Sequence, residues 1–194
     1  MNKIKLKGTI KNIQPSHITQ GIEYNKANLI VRRDDGKEDI ITLKFKRFSN
    51  PYNENDEISL TGNLRTYSSK LADKNKVEVY VFTYFDEEEF EESNLVEFDG
   101  RVCKKNDLRK TAQGKDVIDF IVANNIKSED QSLNCYIPCV AWGKAAKQLS
   151  NVNIGDLIEI KGQIRSREYR KKVNDDDFEI HVCHEVNIIE FKQG

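Results

Sequence analysis

No apolar run in this sequence approaches the roughly 18 residues that a membrane span requires. The N-terminal stretch MNKIKLKGTI alternates charged with apolar residues, where a secretory signal needs a continuous apolar block. A cytoplasmic protein without a membrane partner is expected. An excess of one charge is also lacking: 31 Lys and Arg against 32 Asp and Glu leave a formal net charge of −1, which by itself argues against an indiscriminate polyanion binder. Cysteine is scarce, and Cys103, Cys135, Cys139 and Cys183 form no CxxC pair, as fits a reduced compartment. A metal site would have to gather Cys135, Cys139 and Cys183 with His181 and His184, but the spacings match none of the usual zinc patterns. Cys135, Ile137, Cys139 and Ala141 instead share one face of a strand, where cysteine packs as a small apolar group, so no metal and no other cofactor is expected. His17, His181 and His184, the three histidines, accompany no nucleophile, carboxylate pair or glycine-rich phosphate cradle at a useful spacing. Catalysis is therefore not expected.

Strand-like alternation is what the sequence does contain, and it is organised around residues 155–169, GDLIEIKGQIRSREY. At a period of two, Ile158, Ile160, Gly162 and Ile164 fall on one side, and Lys161, Gln163, Arg165, Arg167 and Tyr169 on the other. One face suits a core; the other is a row of cations ending in an aromatic ring, a surface able to hold phosphates and stack a base. The stretch occurs twice, since DEISLTGNLRT at 56–66 matches DLIEIKGQIRS at 156–166 with Asp, Ile, Gly and Arg at the same offsets.

The charge distribution fits a duplicated module. Residues 1–85 carry 15 Lys and Arg against 10 Asp and Glu, the run DEEEFEES at 86–93 carries 6 acids and no base, and residues 94–194 carry 16 of each sign. The expected organisation is an N-terminal domain over 1–86, an acidic linker over 87–93 and a C-terminal domain over 94–194.

In the first module, strands are expected at 3–12, 24–33, 39–48, 57–67 and 77–85, with polar loops between them, including one holding Pro15, His17 and Gly21 and one over 68–76. Ile41, Leu43 and Phe45 turn inward on the third strand while Lys44, Lys46 and Phe48 turn outward; on the fourth, Arg65 and Tyr67 are outward. The second module repeats the pattern, with a basic loop at 104–114, loops at 124–134 and 170–177, a last strand at 178–190, and one short helix over 144–152 between its third and fourth strands. Two small antiparallel barrels of five strands each account for this spacing.

The C-terminal module resembles single-stranded-DNA-binding proteins of bacteria and phages, built on the oligonucleotide/oligosaccharide-binding (OB) barrel. The resemblance rests on NLVEFDGRV at 94–102, KTAQGKDVIDFIVA at 110–123, YIPCVAWGKAAKQLS at 136–150 and GDLIEIKGQIRSREY. The N-terminal module is a diverged copy, seen in the strand-four repeat and in NKVEVYVFTYF, which parallels DDFEIHVCHEV. The resemblance implies an all-β protein of two tandem five-stranded OB barrels that binds single-stranded DNA largely without regard to sequence. Tyr136, Trp142 and Tyr169 match three of the family's base-stacking positions. The family's aromatic just after strand two is replaced here by Asn124, Asn125 and Ile126. The family's acidic recruitment tail is not matched by the final EFKQG, so tail-mediated recruitment of partner enzymes is not expected. By analogy with family assemblies, a homodimer presenting four barrels is.

The candidate interface is thus Tyr136, Trp142 and Tyr169 for stacking, with Arg165, Arg167, Lys161, Arg109, Lys110, Lys44, Lys46, Phe48, Arg65 and Tyr67 around them. Arg65 and Arg165 have a second reading as ion-pair partners that pin the barrels. Nothing in the residues separates deoxyribose from ribose, so RNA stands as an alternative ligand. A protein-interaction subunit of the primosome type, with nucleic-acid binding weak or lost, is the alternative from another functional class.

Overall fold

The computed structural model describes residues 1–71, 74–85, 90–127, 132–172 and 178–194. Five strands make the first barrel: β1 (Asn2–Thr19), β2 (Ile22–Arg32), β3 (Glu38–Lys46), β4 (Glu57–Leu71) and β5 (Lys74–Thr83), with one 3-10 turn at Arg47–Ser49. β1 pairs with both β2 and β4, β2 with β3, β4 with β5, and β3 runs parallel to β5, which closes the circuit. The second barrel consists of β6 (Asn94–Lys105), the two-residue β7 (Arg109–Lys110), β8 (Asp116–Lys127), β9 (Ser132–Trp142), helix α1 (Gly143–Leu149), β10 (Leu157–Lys172) and β11 (Phe178–Gln193). It closes in the same way, β6 to β8 and β10, β8 to β9, β10 to β11, and β9 parallel to β11. These are two OB barrels in tandem, with the helix between the third and fourth strands of the second. No helix among the described residues is long and apolar enough to cross a membrane.

Alternation places the cores as expected: Ile41, Leu43 and Phe45 are fully buried in the first barrel, as are Ile118, Ile137, Ile158 and Ile164 in the second. The repeated glycines serve the barrel corners. A Cβ on Gly8 or Gly100 would stand far inside contact distance of the Ile30 or Ala123 carbonyl oxygen, and one on Gly62 or Gly162 would meet that of Phe82 or Asn187. The turn into strand four is also duplicated. Asp56 accepts a side-chain hydrogen bond from the Asn53 N–H at 2.8 Å, Asp156 accepts one from Asn153 at 2.8 Å, and Asn55 and Gly155 both take positive φ.

The expected loops are shorter than the sequence implies. β1 continues to Thr19 through Pro15 and His17, paired with Ile22–Asn28 across irregular register. Both faces of this hairpin arm meet solvent, so it carries no apolar alternation to betray it. The loops expected at 68–76, 124–134 and 170–177 are likewise the ends of hairpin arms: β4 runs to Leu71 and β5 starts at Lys74, β8 runs to Lys127, and β10 runs to Lys172. Residues 72–73, 128–131 and 173–177 of those loops, and 86–89 at the start of the acidic run, lie outside the described residues. At the linker's end Phe90 is buried, with the Lys5 and Lys7 ammonium groups 5.5 and 5.2 Å from its ring centre.

The barrels join through β1 and β6, antiparallel with Ile4 opposite Val96. These two residues hold equivalent places in their barrels, so the pairing lies on a local pseudo-twofold. Asn2 and Asn94 obey it: the Asn2 side chain bonds the Leu64 N–H and C=O, and that of Asn94 bonds the Ile164 N–H and C=O, all at 2.7–3.0 Å. Across the junction the Ser166 hydroxyl accepts from the Ile40 N–H at 2.8 Å, and the Thr66 hydroxyl accepts from the Tyr136 N–H at 2.9 Å. A buried carboxylate at the junction breaks the symmetry. Asp39, fully buried on β3, receives hydrogen bonds from Arg33 of its own barrel and from Arg165 and the Ser166 N–H of the other.

Candidate nucleic-acid interface

The outward faces of β2, β3, β5 and β4, and of β8, β9, β11 and β10, form two equivalent surfaces that can be read position by position from the strand registers. On the second barrel, Tyr136 and Trp142 project from β9 on the same face, about 20 Å apart at ~3.3 Å per residue. Trp142 is 43% exposed at the strand's end, opposite Val117. Tyr169 is exposed on β10 and stacks on His181, with ring centres 5.5 Å apart. The structure thus turns all three expected stacking residues outward.

The cations expected beside them have different settings. Arg165 is half-buried and holds Asp39 at 2.9 Å, the pinning role of its two readings. Arg167 is exposed, 3.9 Å from Glu185. Lys161 lies opposite Glu97 on β6 and Glu190 on β11, away from the aromatic residues. Arg109 pairs with Asp119, and Lys110 lies 3.1 Å from Asp116, which also faces Lys147 at 3.2 Å. Those two lysines hold the Asp116 carboxyl below its ordinary pKa. Glu185 sits in the middle of this face, where burial pushes its carboxyl pKa up against the opposing pull of Arg167. Asn124, at the position where the resemblance implies an aromatic, is buried; its amide donates to the Met1 and Asp99 carbonyls and accepts from Asn2. It ties the barrels together.

The first barrel's face is richer. Lys44 lies 4.2 Å from the Tyr80 ring centre and 3.2 Å from Glu78, and Lys46 is exposed opposite Tyr24. Phe48 is 90% exposed in the 3-10 turn, with the Arg47 guanidinium 5.9 Å from its ring centre. Tyr67 is exposed on β4, and the Arg65 guanidinium lies 3.9 Å over the Phe82 ring. Sequence reasoning passed over Tyr24, Tyr80, Phe82 and Tyr84. Phe82 touches Tyr24 and Tyr84, at centroid distances of 6.2 and 5.1 Å, and Tyr24 stacks on His17 at 4.7 Å. The signal was present in VEVYVFTYF, whose alternate residues Tyr80, Phe82 and Tyr84 share the outward face.

Two closed five-stranded barrels of this topology, with aromatic rings on their outward faces, place the chain in the OB-fold class. Residues 93–190 match the family described as the single-strand binding protein family, and the chain belongs to it. It is 35% identical over 83 residues to a single-stranded DNA-binding protein of Enterococcus faecalis, a match covering 41% of this chain and 44% of that one. It is 37% identical over 83 residues to single-stranded DNA-binding protein 1 of Streptococcus pyogenes, covering 41% and 64%. The chain thus spans between about two fifths and two thirds of the length of these relatives. The crystal structure of the wild-type single-stranded DNA binding protein from Thermus aquaticus superposes with a TM-score of 0.72 at 20% identity, covering 100% of this chain and 93% of that one, which shows the shared fold.

Proposed function

We propose that the chain binds single-stranded DNA, laid across the outward faces of both barrels, with little dependence on base sequence. The observation that carries this is the set of outward aromatic residues on both barrels, Tyr136, Trp142 and Tyr169 on one and Tyr24, Tyr67 and Tyr84 on the other, on faces that also carry Lys44, Lys46, Arg65 and Arg167. Every base presents a π-face, so stacking tolerates any sequence, at roughly 1–3 kcal/mol per base. Membership of the single-strand binding protein family and the names of the relatives support the same ligand.

The role is binding without catalysis, in the cytoplasm, by two barrel domains, 1–86 and 94–194, joined by the acidic linker over 87–93. A homodimer would present four such surfaces. The acids Asp119 and Glu185 on the second barrel favour a second reading in which that barrel alone contacts a protein. The test is competition: labelled oligo-dT bound to the full chain is challenged with unlabelled oligo-dT, duplex DNA and oligo-rU. Displacement by oligo-dT at far lower concentration than by duplex supports the proposal; equal displacement by duplex sinks it, and stronger displacement by oligo-rU reassigns the ligand to RNA.

A further inference from the structure

Equivalent positions in the two barrels have diverged in a consistent direction. On strand five, Tyr80, Phe82 and Tyr84 of the first barrel stand where the second has Glu185, Asn187 and Ile189, as the pairings of Gly62 with Thr83 and of Gly162 with Ile188 establish. On strand two, Tyr24 and Lys26 stand where the second has Val117 and Asp119. The duplicated arginine has diverged too. Arg165 reaches across the junction to Asp39, whereas the position equivalent to Asp39 in the second barrel is Cys135, a buried uncharged residue. Among the described residues Arg65 has neither an ion pair nor a hydrogen bond, and its Nε is buried without a partner while its guanidinium carbon lies 3.9 Å from the Phe82 ring centre. A guanidinium packed over a ring in this way can still offer its Nη donors to an anion.

We infer that the N-terminal barrel, which lies outside the matched family segment, carries the tighter half of the single-strand site, with Arg65 taking a phosphate and Tyr24 and Tyr84, which flank the buried Phe82, taking bases. This rests on the single-strand reading above and says where most of the affinity resides. Of the cations on that face, Lys44 pairs with Glu78, and among the described residues Lys26 and Lys46 have no ion pair. The second barrel opposes Arg167 with Glu185 and has committed Arg165 to Asp39.

The test compares full-chain variants by anisotropy of labelled oligo-dT over a range of salt concentrations. Arg65→Gln is expected to weaken binding about tenfold and to reduce the salt slope by about 0.7, the contribution of one single-strand phosphate. Tyr84→Ala is expected to cost between about 5-fold and 100-fold, and the double variant Tyr136→Ala with Trp142→Ala to cost less than Arg65→Gln with Tyr84→Ala. The reverse order, or an unchanged Arg65→Gln, overturns the assignment while leaving the single-strand function standing; failure of the unaltered chain to bind overturns both. Photo-crosslinking of bromodeoxyuridine-substituted oligonucleotide to the unaltered chain gives an answer independent of variant folding. Adducts on peptides holding Tyr24 or Tyr84 support the inference, and adducts confined to residues 94–194 contradict it.

Discussion

Arg165 of the second barrel donates from Nη1 to the Asp39 carboxylate of the first at 2.9 Å, across 126 residues of chain. The carboxylate is fully buried and also bound by Arg33, so the two charges act as one junction. Burial, the strongest influence, pushes the Asp39 pKa up, but the hydrogen bonds from Arg33, Ser166 and Arg165 together outweigh it and hold the carboxyl below its ordinary value.

Asp39→Ala leaves two half-buried guanidinium groups facing an empty site, and breaking a buried pair from one side costs about 3–5 kcal/mol. Arg165→Ala leaves Asp39 with Arg33 and the Ser166 N–H, so it costs about 1–3 kcal/mol. Urea unfolding of the two variants checks the order; equal and small losses would show that the junction is not held here.

The junction weakens in acid. His184 donates from Nε2 to the Ile40 carbonyl at 2.7 Å, and burial holds its pKa below the ordinary imidazole value despite that hydrogen bond and the nearby Asp39 and Glu78. A depressed folded pKa means that the contribution is complete above the unfolded value of about 6.5 and is lost as pH falls through the lower folded value. Asp39 adds a second loss below about pH 3.9. The urea midpoint is therefore expected to fall from pH 7.5 to pH 5.5, and His184→Gln to flatten that part of the curve. A midpoint independent of pH in the unaltered chain contradicts the assignment.

Glu185→Gln removes an acid from the centre of the second barrel's face. Its raised folded pKa means that its contribution to stability is complete only below the unfolded value and is lost as pH rises, so the variant is expected to be at least as stable at pH 7. Relief of about 1 kcal/mol of repulsion against a phosphate corresponds to ~5-fold tighter binding of oligo-dT at low salt. Unchanged affinity would place the strand's path away from β11.

Gly62→Ala and Gly162→Ala each drive a Cβ against a carbonyl of the neighbouring strand. Overpacking of this kind costs about 1–3 kcal/mol. Thermal unfolding should show both variants destabilised; a neutral result at either would show that its barrel corner relaxes.

The inner faces were legible in the sequence because a buried strand face must alternate. Ile41, Leu43 and Phe45 are inside and Lys46 and Tyr67 outside, as their spacing requires. The hairpin arms were not, because segments such as 13–19 meet solvent on both sides and Pro15 reads as a loop. Tyr136, Trp142 and Tyr169 face outward as expected. The strand-five aromatics were missed since VYVFTYF is apolar on both faces, and only Arg65 and Lys44 from neighbouring strands distinguish its outer side. The partner of Arg165 could not be chosen from spacing alone: it lies in the other barrel.

The most direct measurement is the affinity of the full chain for labelled oligo-dT as salt is raised from about 50 to 200 mM. Several neutralised phosphates predict micromolar or tighter binding at low salt and a linear fall of log K with log salt, steeper than about −2 for three or more contacts at ~0.7 each. No binding at micromolar DNA and low salt, or an affinity indifferent to salt, contradicts a strand held by these cationic and aromatic faces.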